Sequence, residues 1–175
     1  MPPAIVRSLA MFDDIHVHDN SLGPDLAVYG RYALIPETDR PVVLVQDDDV
    51  ILPPESITGL LAAYEPGKIT ANMPERFRPH YADSCLVGFG AVFDRDLPDA
   101  AFDRFKGIDP PTWPEILRTC DVVFTALTDR VLVDLPIEIL PYAYGDDRMY
   151  RQPQHNGDRR RMLELARRVR DRAAA

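Results

Sequence analysis

Disulfide chemistry is the first thing this sequence lacks. Cys85 and Cys120 are its only cysteines, too few for a disulfide framework and without a CxxC spacing. They read as small buried hydrophobes in a reducing compartment. No run approaches the ~18 apolar residues that a membrane span needs, and Met1-Pro2-Pro3-Ala4 lacks the basic-then-apolar opening of a secretory signal. Repeats and low-complexity linkers are missing too. The expectation is a cytoplasmic protein with no transmembrane segment. A net charge of −8 argues against a general nucleic-acid binder, so no nucleic acid is expected as a partner.

What is present suffices for one domain. The 175 residues, 46% hydrophobic and 27% charged, have the balance of an ordinary globular chain with a substantial core. Ile5 to Met11 reads as the end of a helix, and Ile15-His16-Val17-His18 as a short strand running into a turn at Asp19–Pro24. Pro24 suits the start of a helix from Asp25 towards Ile35. Val42-Val43-Leu44-Val45 predicts a strand buried on both faces, as in a parallel sheet. Pro54 opens a helix with Ile57, Leu60, Leu61 and Tyr64 on one face. Ile69-Thr70-Ala71 and Leu86 to Phe93 read as strands, separated by a long loop over 72–84. A short helix is expected near 98–105. Residues 121–127 fit strand or helix. Val131-Leu132-Val133 and Ile137 to Leu140 are further strand candidates, and 142–156 reads as polar loop. Met162, Leu165, Ala166 and Val169 give a last helix one apolar face. Alternating strands and helices make α/β the expected class.

The chemistry concentrates at Asp47-Asp48-Asp49, directly after the Val42 strand. Three adjacent carboxylates repel one another unless a cation neutralises them or they splay into solvent. In open α/β sheets, ligands sit beyond the carboxyl ends of the strands. Hard oxygen ligands favour Mg, Mn or Ca. A solvated turn is the plain alternative, although apolar Ile51-Leu52-Pro53-Pro54 follows at once. His16 and His18 lack a third metal partner and read as structural.

Taken in order, Asp19-Asn20-Ser21, Arg31, the acid triplet, Gly88-Phe89-Gly90-Ala91, Asp121 and His155 resemble the GT-A-type glycosyltransferases, most of all their exostosin-like members. The likeness runs from about Phe12 to His155. It implies a Rossmann-like nucleotide-diphospho-sugar transferase fold, with a mixed, mostly parallel sheet flanked by helices. The domain would span 1–158 and lack the family's usual first strand; a basic helix at 159–175 would follow.

By that resemblance, Asp49 coordinates Mn2+ or Mg2+, and Asp47 or Asp48 contacts the ribose of a UDP- or GDP-linked sugar. Asn20 and Arg31 approach the nucleotide, and Gly88 and Gly90 leave room for the donor sugar or acceptor. Asp121 stands where the family carries an acidic pair whose first place is here taken by Cys120. As survivor it would act as base or orient an acceptor hydroxyl. His155 would complete the metal shell, and Arg148 and Arg151 would clamp the diphosphate. Tyr144 and Tyr150 would help close a lid.

Each residue also has a plain structural role open to it: an Asx turn for Asn20, a solvated helix arginine for Arg31, strand packing for the glycines. For Asp121 it is a helix N-cap, and for His155 a solvated loop. The expected reaction is metal-dependent transfer of a sugar to a hydroxyl acceptor, a glycan or a lipid-linked one. The alternative is a non-catalytic remnant that binds nucleotide, glycan or protein. A sugar nucleotidyltransferase would share the core, but its glycine-rich phosphate loop is missing.

Arg159, Arg160, Arg161, Arg167, Arg168, Arg170 and Arg172 make the tail basic. A solvated cationic face, peripheral contact with an anionic membrane, and a partner helix are the three readings of it.

Overall fold

The Val42-Val43-Leu44-Val45 run does form a strand, β1 (Val42–Val45), and it lies at the edge of a sheet. Its β-branched residues suit a pleated surface packed on both sides. Val43 and Val45 lie against the main core, and Val42 and Leu44 against a smaller one built on Leu52, Ile57, Leu60 and Val92. The computed structural model describes residues 3–106, 112–140 and 152–174.

Four strands form the main sheet, in the order β1, β4 (Ala91–Asp94), β3 (Ile69–Asn72), β5 (Arg130–Val133). The expected mostly parallel sheet is not what forms. β4 runs antiparallel to both β1 and β3, and only β3 and β5 pair in parallel. The cause lies in residues 73–90, which contain only a 3-10 turn, Glu75–His80. A parallel return between neighbouring strands needs a crossover of a dozen or more residues, usually a helix. The chain here doubles back instead. A separate antiparallel pair joins β2 (Val50–Ile51) to β6 (Glu138–Ile139).

The helices are α1 (Pro3–Ser8), α2 (Gly30–Ala33), α3 (Pro54–Ala62), α4 (Leu97–Lys106), α5 (Trp113–Leu127) and α6 (His155–Ala174). Proline opens α3 as expected, and Ile57 and Leu60 are buried beneath it, whereas Leu61 is exposed. At the head of α5, Glu115 accepts hydrogen bonds from the Thr112 amide (2.7 Å) and hydroxyl (2.9 Å). The helix runs unbroken to Leu127, so the helix-or-strand ambiguity at 121–127 resolves in favour of helix.

Four other expectations are corrected. Ile15 to His18 joins neither sheet, and Ile15 and Val17 stay exposed. The helix expected from Asp25 to Ile35 is broken into a 3-10 turn (Ala27–Tyr29), α2, and a second 3-10 turn (Ile35–Glu37) containing Pro36. The strand expected from Leu86 begins only at Ala91, because Val87–Gly90 is a turn closed by a 3.1 Å bond from the Gly90 amide to the Val87 carbonyl. The last helix starts at His155, ahead of the basic stretch.

The main core lies between the sheet and α5, with α6 packed over it. Tyr32, Phe93, Phe102 and Phe124 stack edge to face, with the Phe93 and Phe124 ring centres 5.0 Å apart. Truncating Phe124 to alanine would cost about 3–5 kcal/mol. Met162, Leu165, Ala166 and Val169 bury the apolar stripe of α6 in the same core. Ion pairs tie its polar flank to α5: Arg118 to Asp158 at 2.7 Å, and Arg161 to Glu115. No helix among the described residues is long and apolar enough to cross a membrane.

Candidate functional site

The carboxyl end of β1 carries the acid triplet into a tight turn, Asp47 to Val50, leading into β2. Asp48 points outward and is exposed, and Asp49 is partly covered. The Asp49 carbonyl accepts the Leu140 amide at 2.7 Å. Gln46 braces the turn by donating its side-chain amide to the Val50 carbonyl (3.0 Å). Its Oε1 is buried with no donor among the described residues.

Asp47 turns inward because Gly88 has no side chain. A β-carbon at residue 88 would lie 1.9 Å from Asp47 Oδ2, and the Asp47 amide donates to the Gly88 carbonyl at 2.9 Å. Gly90 has φ +103°, and a β-carbon there would come 2.6 Å from Leu52 Cδ1. Gly90 thus serves the turn and the packing under it, while Gly88 shapes the site itself.

Arg31 bridges two distant parts of the chain. It donates Nη1 to Asp121 Oδ2 at 2.8 Å and Nη2 to Asp47 Oδ1. Tyr32, the next residue, donates its hydroxyl to Asp121 Oδ1 at 2.6 Å. Tyr32 is buried in the aromatic core, and this fixes the short α2 so that the neighbouring guanidinium faces the acids. Asp121 lies inside α5 rather than at a helix start, so it is no N-cap. Its carbonyl accepts the Thr125 hydroxyl at 2.7 Å, and Thr125 in turn receives the Cys85 amide at 3.2 Å.

Burial alone would favour neutral Arg31, but Asp121 and Asp47 outweigh it and hold the guanidinium firmly protonated. For Asp121, burial pushes the carboxyl above the ordinary carboxylate range. Arg31 and the Tyr32 hydroxyl pull against that shift, and the Asp47 charge adds to it. Among the described residues Arg31 meets two carboxylates, Asp47 and Asp121, and Asp48 and Asp49 follow on the same turn. Such a site suits a hard cation or sugar hydroxyls better than a bare phosphate.

The remaining expected residues have no hydrogen bond to this cluster or lie outside the described residues. Asn20 organises its own loop: its Oδ1 accepts the Leu26 amide (3.0 Å), its amide donates to the Ala27 carbonyl (3.4 Å), and the His18 ring lies at 2.9 Å. These bonds match the turn role open to it. His155 is the first residue of α6, and its Nδ1 is buried without a partner among the described residues. Burial first, then the charges of Arg159 and Arg118, push its pKa down against Asp158. None of the charges acting on it belongs to the acid triplet. Arg148, Arg151, Tyr144 and Tyr150 lie outside the described residues.

Among the described residues, no three His, Cys, Asp or Glu side chains gather as a metal cage. Asp48 is exposed and the adjoining Asp49 partly covered, two successive carboxylates on one turn. Mg and Mn are commonly held by one or two carboxylates together with substrate phosphates, so the donor chemistry fits that mode.

Sequence reasoning missed Tyr32 and Gln46. Tyr32 had a signal, an aromatic beside the candidate Arg31, whereas the orphaned Gln46 oxygen had none. Compared with known proteins, the chain matches no family model, no curated protein and no solved structure.

Proposed function

We propose that this protein is a metal-dependent glycosyltransferase that moves a sugar from a UDP- or GDP-linked donor to a hydroxyl acceptor, in a cytoplasmic setting. The observation that supports this reading is the meeting of Arg31, Asp47 and Asp121 at the carboxyl end of β1. These residues are far apart in sequence, and the resemblance implies a nucleotide-sugar role for each of them.

Asp48 and Asp49 are the residues that would hold Mn2+ or Mg2+, which would supply positive charge where a departing diphosphate becomes more negative. Arg31 fixes the inner acids in register, with Asp47 turned towards Gly88 and Asp121 held by two donors. Asp121, its proton affinity raised by burial, is placed to take the proton of an acceptor hydroxyl as the new glycosidic bond forms. The acceptor would be a glycan or a lipid-linked hydroxyl.

One observation favours a second reading. Both inner acids are already spent on Arg31, as in a purely structural ion cluster. A binding module without catalysis would look the same.

Calorimetry with UDP and GDP, with and without Mn2+, on the wild type and Asp49→Asn, tests the first reading. Mn-dependent binding lost in the variant is expected, followed by donor hydrolysis or transfer that fails in Asp121→Asn. Binding without turnover would favour the module. A folded wild type that binds neither nucleotide would remove the transferase reading.

A further inference from the structure

At the opposite end of the sheet the charge pattern reverses. β1, β3 and β5 share one direction, because β1 and β3 both run against β4 and β3 runs with β5. The start of β5 therefore lies at the end of the sheet away from Asp47. There, Gly67, Leu97, Arg104, Thr128, Arg130 and Arg170 line a cleft of about 430 Å³, formed by α4, the end of α5, β5 and α6. The volume is within the usual range of small-molecule sites.

We propose that this cleft binds a compact phosphate-bearing anion, either a small phosphorylated metabolite or the phosphate of a lipid headgroup. Three arginines, Arg104, Arg130 and Arg170, are among its lining residues, with one acid, the exposed Asp129. Arg130 donates Nη2 to the Ala82 carbonyl at 3.3 Å, but its Nη1 is buried with no acceptor among the described residues. A buried charged donor left unmatched is rare in folded proteins and calls for a partner. Arg170 is loosely held: it reaches Asp83 Oδ1 only at 3.8 Å, while Arg167 bonds the other oxygen of that carboxylate.

Arg104 donates to the Leu127 carbonyl at 3.0 Å, offsetting the negative end of α5 that would otherwise repel an anion. The Gly67 α-carbon leaves open space where a side chain would stand. Guanidinium forks match the several oxygens of a phosphate better than they match a monovalent ion such as chloride.

The test uses the whole chain and inorganic phosphate, titrated at constant ionic strength against chloride and followed by amide NMR shifts. Vesicles of phosphatidylcholine with and without phosphatidic acid form a second arm. The expected result is saturable binding whose shifts centre on Thr128, Arg130 and Gly67, weakened about tenfold in Arg170→Gln. Arg104→Gln is a second variant, checked for its fold by its amide spectrum.

Phosphate binding lost in both variants assigns a free phosphometabolite. Binding only to phosphatidic acid vesicles, lost in the same variants, assigns a lipid phosphate. Shifts reproduced by chloride, binding unchanged in both variants, or no binding in either arm would overturn the site. Asp47→Asn should leave phosphate binding intact, so the result stands apart from the transferase reading.

Discussion

The two ends of the sheet use the same pair of residue types in opposite proportion. At the carboxyl end of β1, Arg31 is enclosed by Asp47 and Asp121, and Asp48 and Asp49 add further negative charge. At the starting end of β5, Asp83 is held by Arg167 and approached by Arg170, while Arg104 and Arg130 add positive charge nearby. In the first region Arg31 is indispensable to the pair of acids it joins, because its loss strands two carboxylates. In the second Arg170 is only loosely paired, and Arg130 has a buried nitrogen without an acceptor among the described residues. Charge surplus, rather than the number of salt bridges, marks which groups remain available to a ligand.

Arg31→Ala should produce the largest effect, a loss of about 3 kcal/mol of unfolding free energy in urea. That is the low end for breaking a buried ion pair, because Asp47 stays 39% exposed. A loss below about 1 kcal/mol would erase the contrast between the two ends.

Gly88→Ala comes next, at about 1–3 kcal/mol, because the new methyl group would occupy the space of the Asp47 carboxylate. In an Asp47→Ala background the same substitution should cost much less, a coupling that a double-mutant cycle reads directly. Equal costs in both backgrounds would mean that the strain lies in the Gly88 turn itself.

The pH behaviour of the two ends should have opposite sign. Asp83 is held below the ordinary value of 3.8 by its Arg167 hydrogen bond, against burial. The folded chain then binds fewer protons there than the unfolded one, so its contribution is present above 3.8 and lost as pH falls through the folded value. Asp121 is raised above 3.8 chiefly by burial. Between 3.8 and its folded value the native chain binds more protons, so its contribution declines as pH rises through that window. Carboxyl carbon NMR shifts should show Asp83 titrating before Asp121 as acid is removed, and the reverse order would refute the assignment.

Arg170→Gln should give the smallest effect, within about 0.5 kcal/mol of wild-type stability by urea melting. A larger loss would place Arg170 among the structural pairs and sharpen the contrast with Arg104, which caps α5.

Local pattern carried a good deal of this fold. The VVLV run, the Pro54 start of α3, Ile69 onward as β3 and the apolar stripe of α6 all stand where periodicity and proline chemistry put them. Strand direction was not legible, because it depends on whether residues 73–90 cross over or double back, and no local preference records that. Ile15 to His18 shows the opposite failure. It alternates like a strand, yet no neighbouring edge receives it among the described residues.

Within the site, Arg31, Asp47, Gly88 and Asp121 were singled out from sequence, and the fold brings these four together. Their mutual bonding was not foreseeable, since it relies on Tyr32 locking a helix of only four residues into the aromatic core.

The contact between Asp47 and the empty side of Gly88 has a consequence for how this chain can vary over evolutionary time. A lineage cannot replace residue 88 while keeping an inward acid at 47, and a change at 47 releases 88 from its constraint. The two positions should therefore be inherited as a unit. Related chains should carry either the aspartate with the glycine or neither, and one that keeps the aspartate alone would show its acid turned out towards solvent.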